Sequence, residues 1–145
     1  MRLPKLNSPT TIYQLEDAII SHFDNGDFNL NDIDVSRITD MCGLFNCGTT
    51  QKGTRIYKFR NKLHLMDISK WDVSNVRNMS FMFSGCKFNG DISKWNVSIA
   101  ENMYAMFKDS KFSGNLNEWQ VSPNTDVRLM FKWSPLEKNP PKWYK

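Results

Sequence analysis

The side chains that invite metal or nucleophilic chemistry in this 145-residue sequence are few: Cys42, Cys47 and Cys86, with His22 and His64. Cys42-x4-Cys47 together with His64 and Cys86 could offer four ligands to zinc. The usual zinc spacing is tighter, so reduced structural thiols are the stronger reading. Neither histidine sits in a motif with a nucleophile, and there is no H-E-x-x-H and no glycine-rich phosphate loop. The expectation is a protein that is not an enzyme, with no catalytic residues, no metal, no cofactor and no small-molecule substrate. An odd number of cysteines fits thiols better than a disulfide framework, which favours the cytoplasm.

Binding chemistry is better represented. Between residues 46 and 63 lie Lys52, Arg55, Lys58, Arg60 and Lys62, interleaved with Tyr57 and Phe59, and residues 47–65 contain no acid at all. Cations alternating with rings suit nucleic-acid phosphates and bases, and equally an acidic groove on a protein. Residues 1–46 hold seven acids against three bases, which argues against a long nucleic-acid track. A second candidate surface comes from two polar columns, one of Asp32, Lys70, Lys94, Glu118 and Lys142, the other of Asp34, Asp72, Asn96, Gln120 and Tyr144. Asp67, Asp91 and Asn115 form a further column. Short polar side chains at a turn usually bond backbone within it, so this column reads as a structural ladder rather than a calcium site.

What must position these residues is a repeat. Trp71, Trp95, Trp119 and Trp143 stand 24 residues apart, as do Phe83, Phe107 and Phe131, and Val73, Val97 and Val121. A fixed period of this length is the mark of a stacked array. In each unit Trp71 and Val73 alternate with Lys70, Asp72 and Ser74, which predicts a short half-buried strand. Val76, Met79, Met82 and Phe83 then recur at helical spacing, with Ser36, Ser74, Ser98 and Ser122 at the cap position, Ser98 and Glu101 as a capping box, and Pro123 as a first helical residue. The predicted fold class is α/β: a leucine-rich-repeat-like, right-handed solenoid of short parallel strands and short helices. The Trp, Met and Phe columns belong to its core.

One domain, 1–145, is expected. Thr11-x-x-Gln14 and the stripe of Ile12, Leu15, Ile19 and Phe23 predict a capping helix over 9–23. Residues 30–45 are a divergent repeat, 46–63 the basic insert, 65–131 three 24-residue units, and 132–145 a C-terminal cap in which Pro140, Pro141 and flanking lysines block further strand pairing. The N-terminus has no apolar run of a secretory signal, and no stretch approaches a membrane span, so a soluble intracellular chain is expected unless a leader was removed.

The motif F-N-G-D-I-S-K-W-N-V, from Phe88 to Val97, together with M-x-x-M-F from Met79 to Phe83, resembles the BspA-like leucine-rich-repeat family of bacterial proteins. The likeness extends from Leu30 to the end of the chain. It implies a leucine-rich-repeat-like solenoid without enzymatic activity that binds proteins, often in adhesion at cell surfaces. The leading expectation is a small intracellular binder that occludes another protein with an acidic or mixed-charge surface. An inhibitor carried by a phage or prophage against a host system, such as a nuclease, is one form of this. The alternatives are a bacterial surface-adhesion fragment and a nucleic-acid binder working through the insert.

Overall fold

The computed structural model describes residues 8–48 and 55–145. Lys52 of the expected binding set lies outside them. Helix α1, Ile12–Asp24, begins where the Thr11 side chain accepts the Gln14 N–H at 3.2 Å, while Gln14 Oε1 accepts the Thr10 N–H at 2.9 Å. The helix therefore starts three residues later than the spacing predicts, with Pro9 ahead of it. It ends at Asn25 and the left-handed Gly26, at φ +72°. Leu15, Ala18, Ile19 and Phe23 bury one face; each large aliphatic chain so buried contributes roughly 2 kcal/mol before its entropy is deducted.

The 24-residue units stack, but not as strands and helices. Among the described residues α1 is the one α-helix, there is no sheet, and pairing is limited to four isolated parallel bridges: Asn29 to Asp67, Asp40 to Asn78, Asn78 to Asn102, and Asn102 to Asp126. The expected solenoid of parallel strands and repeat helices, and with it the leucine-rich-repeat assignment of the fold, is therefore corrected. The units are turn-rich coils, starting at Asn29, Asp67, Asp91 and Asn115. We number them coils 1 to 4.

Two local causes explain the difference. Trp71, Asp72 and Val73 do alternate buried, exposed, buried, but the extended piece is caught between turns at 69–70 and 74–75. The Trp71 backbone N–H closes the first turn onto Ile68 O at 3.1 Å rather than pairing with another coil. Its indole makes the link instead. Trp71 Nε1 donates to Leu30 O, Trp95 to Ile68 O, Trp119 to Ile92 O and Trp143 to Leu116 O, at 2.8–3.1 Å. A buried indole needs an acceptor, and the carbonyl of the preceding coil supplies it.

The helical spacing of the Met and Phe stripe has a different outcome. Met79, Phe81, Phe83 and Gly85 donate their N–H groups to Asn102, Tyr104, Met106 and Lys108 of the next coil at 2.7–3.0 Å, while Met82, Ser84 and Cys86 donate three residues back. Left-handed residues re-aim alternate amides out of the coil: Gly43, Phe81, Ala105 and Leu129 in one column, Gly85, Asp109 and Trp133 in another, at φ between 52° and 66°. Non-glycine residues there cost about 1–2 kcal/mol each, offset at Phe81, Ala105 and Asp109 by bonds to the next coil. The i, i+3 pattern thus packs Met79, Met82 and Phe83 inward without a helix.

The serines cap no helices. Ser36 and Ser74 donate N–H and hydroxyl to Asp34 and Asp72, and the Ser98 N–H goes to Asn96 Oδ1. Glu101, expected in a capping box, pairs with Arg77 at 2.8 Å. Polar side chains accepting the N–H two residues on turn each coil at three corners: Asn29, Asp34 and Asp40, then Asp67, Asp72 and Asn78, then Asp91, Asn96 and Asn102. In coil 4 the corners are Asn115, Ser122 and Asp126. Inside run ring ladders. Phe45, Phe83, Phe107 and Phe131 stack at 5.4–5.9 Å, and Trp95, Trp119 and Trp143 at 6.4–6.5 Å. With no sheet to terminate, Pro140 and Pro141 do not block an edge strand. They lead into Trp143, which completes the Trp stack.

Candidate interaction surface

The expected binding residues separate into three groups. The insert is folded onto α1: Arg55–Phe59 is a 3-10 turn that buries Ile56 and sets Phe59 against Phe23 at 5.0 Å. The Arg55 N–H donates to Glu16 Oε2 at 3.1 Å, and its guanidinium donates to Asp17 Oδ1 at 2.6 Å and Tyr13 O at 2.9 Å. The side chain to Asp17, with burial opposing it, holds Arg55 above its ordinary pKa. Phe59 and Arg55 thus attach the insert, and the acids of the first third are partly answered within the molecule. Lys58 lies over the Phe59 ring and Arg60 over Tyr57, at 5.0 and 4.5 Å; Lys62 is exposed.

The two columns divide next. Asp72 and Asn96 are corner residues whose Oδ1 atoms accept backbone N–H groups, so these two side chains are needed within their own turns. Lys70, Lys94, Glu118 and Gln120 are exposed, one beside each corner. Tyr144 is half-buried and meets Phe131 edge-on at 4.9 Å; burial pushes its hydroxyl pKa up.

A third surface lies on the turns that carry the left-handed residues. Tyr104 sits between Phe81, edge-on at 5.4 Å, and the Arg128 guanidinium at 5.4 Å. Trp133, 62% exposed, has Lys108 and Lys132 over its ring at 5.2 and 5.8 Å, and Leu129 of the same coil is 40% exposed. Rings and an aliphatic chain held outward by φ near +57° are not scaffold, since the Phe131 and Trp143 ladders lie on the inner side. The sequence carries one signal of this surface: of five tryptophans, Trp133 alone stands off the 24-residue register.

Titratable groups elsewhere serve the corners. Hydrogen bonds from Ser36 hold Asp34 below its ordinary pKa, those from Ser69 and Ser93 do the same for Asp67 and Asp91, and the Arg128 side chain does so for Asp126. Burial lowers His22, but its bonds to Ala18 O at 2.9 Å and Asp32 at 2.8 Å outweigh that and raise it. The Cys86 thiol bonds Cys47, pulling the Cys47 pKa down, while that bond and burial push Cys86 well up. Among the described residues no three His, Cys, Asp or Glu side chains gather where a metal ion could be held, and no helix is long and apolar enough to cross a membrane.

No curated protein and no solved structure matches the chain. A family model described as Mycoplasma protein of unknown function, DUF285, matches residues 17–143, and the chain belongs to that family.

Proposed function

We propose that this chain is a non-enzymatic protein-binding module of the cytoplasm that docks a partner with an acidic or mixed-charge surface. The observation that carries the reading is Trp133, exposed on the turn face with Lys108 and Lys132 over its ring. Exposed tryptophan is among the residue types most enriched at binding hot spots. Three unpaired thiols fit a reducing compartment. Lys70 and Lys94, exposed at the corners, extend the same basic character to a neighbouring surface.

The test is affinity purification from the native cell with identification by mass spectrometry, followed by titration of the captured protein. Trp133→Ala and Lys108→Glu are expected to weaken binding at least about tenfold, the scale of a hot-spot residue. Lys70→Glu with Lys94→Glu measures the corner column separately. Capture of nucleic acid alone with a steep salt dependence, or a partner whose affinity none of these changes alters, overturns the reading.

A further inference from the structure

Two of the three thiols meet where coil 1 runs alongside coil 2. The Cys47 N–H donates to Ser84 O at 2.8 Å. A Cβ added at Gly85 would stand 2.8 Å from Gly48 N and 3.0 Å from the Cys47 carbonyl carbon, so the two backbones touch here. Backbones at ladder spacing, about 4.8 Å apart, fall inside the span of roughly 4.4–6.8 Å between Cα atoms that a disulfide bridges. The side chains are already in contact: the Cys86 thiol donates to Cys47 Sγ, and the Cys47 thiol donates to Phe45 O at 3.4 Å. The bond from Cys86, opposed by burial and aided by the charge of Arg60 in the insert, holds Cys47 below its ordinary pKa. Access differs between the two, since Cys47 is half-buried and Cys86 is 1% exposed.

The scaffold does not call for sulfur at position 86. Cys86 Sγ accepts the Phe88 N–H at 3.4 Å, and in the next coil Ser110 Oγ accepts the Phe112 N–H at 3.3 Å in the same place. A hydroxyl therefore serves that turn, and the sulfur beside Cys47 adds a chemistry the turn does not use.

We propose that Cys47 and Cys86 are a redox pair that a hydroperoxide closes into a disulfide, tying the start of the insert to coil 2. The Cys47 thiolate attacks one peroxide oxygen, the O–O bond breaks, and hydroxide leaves, which makes Cys47 a sulfenic acid. The Cys86 sulfur then attacks the Cys47 sulfur. The S–O bond breaks, and the departing hydroxide takes the Cys86 proton as water. Two thiols have then lost two protons and two electrons, and one hydrogen peroxide has become two waters. A dithiol reductant reverses the change by thiol–disulfide exchange, becoming a disulfide itself. The more accessible thiol reacts first and the buried one resolves it, the arrangement of redox-sensing cysteines. Both thiols are free in the resting molecule, so the disulfide is the response to oxidant.

Hydrogen peroxide in small molar excess over the reduced full chain is the probe, followed by blocking of free thiols, tryptic digestion without reductant, and mass spectrometry. The expected product joins residues 38–52 to residues 78–87 within one monomer. It should form equally in Cys42→Ser, and dithiothreitol should return it to thiols. Cys86→Ser keeps an acceptor for Phe88, as Ser110 does for Phe112, and should leave Cys47 as a sulfenic acid that dimedone labels. Cys47→Ser should slow oxidation of Cys86 at least about tenfold, because a buried thiol is a poor nucleophile. Oxidised wild type should unfold at a higher urea concentration than the reduced chain. Four results overturn the proposal: a disulfide that uses Cys42 or a second copy, Cys47 sulfinic acid in the wild type with Cys86 still reduced, Cys47 oxidising no faster than Cys42, or a cross-linked chain that unfolds earlier than the reduced one.

Discussion

The indole of Trp95 donates its Nε1–H to the carbonyl of Ile68, one coil earlier, at 3.1 Å, and both groups are buried. One side-chain bond per coil thus stands where a strand ladder would have stood.

Trp95→Phe keeps a ring in the stack between Phe83 and Trp119 but strands the Ile68 carbonyl. A buried acceptor without a donor costs about 1–3 kcal/mol, and the lost ring volume adds to it. Urea unfolding should show this as a lower midpoint with little change in slope. Trp143→Phe, at a half-buried site on the end of the stack, should cost less.

Asp109 is exposed and left-handed at φ +57°. Asp109→Gly relieves the strain, and a stabilisation of up to about 1 kcal/mol is expected. Lys111→Gly, at an exposed residue outside the left-handed region, should destabilise by roughly 0.5–1 kcal/mol. Thermal unfolding of the pair reads the difference in sign.

Acid should weaken the fold through the corners. The folded pKa values of Asp34, Asp67, Asp91 and Asp126 lie below the ordinary 3.8, so their stabilisation is complete above that value and is lost as pH falls through the depressed ones. Asp91→Asn keeps the acceptor for the Ser93 N–H, as Asn115 does for Asn117 in the next coil, and should flatten part of the acid limb. His22 has the opposite sign. Its raised pKa gives stability that is full below 6.5 and fades as pH rises through the folded value. A pH series of unfolding midpoints on the wild type, Asp91→Asn and His22→Gln separates the two limbs.

Arg55 holds the insert to α1 through Glu16, Asp17 and Tyr13. Arg55→Ala should speed tryptic cleavage after Lys58, Arg60 and Lys62 several-fold while leaving global unfolding nearly unchanged, since local opening need not involve the coils. Equal cleavage rates would mean that Ile56 and Phe59 suffice to hold it.

The sequence by itself determined which residues share a layer. A period of 24 places Phe83 over Phe107, Trp95 over Trp119 and Asp67 over Asp91 whatever the backbone does between them, because identical units bury identical faces only when stacked in register. The helix at Ile12 and the corners at Asp67, Asp91 and Asn115 were legible for a similar reason, each resting on a side chain acting on backbone two to four residues away, whereas Asp72 and Asn96, expected to face outward, are corners too. Tertiary structure alone decided the conformation within a unit. Trp71-Asp72-Val73 alternates like a strand and Met79, Met82 and Phe83 recur like a helix, yet both patterns state only which side chains go inward. Where the amides point depends on carbonyls 23 residues on, and these reward left-handed geometry at Phe81 and Ala105 that no local preference favours. The outward-facing Trp133, left-handed at φ +59°, is a consequence of that choice.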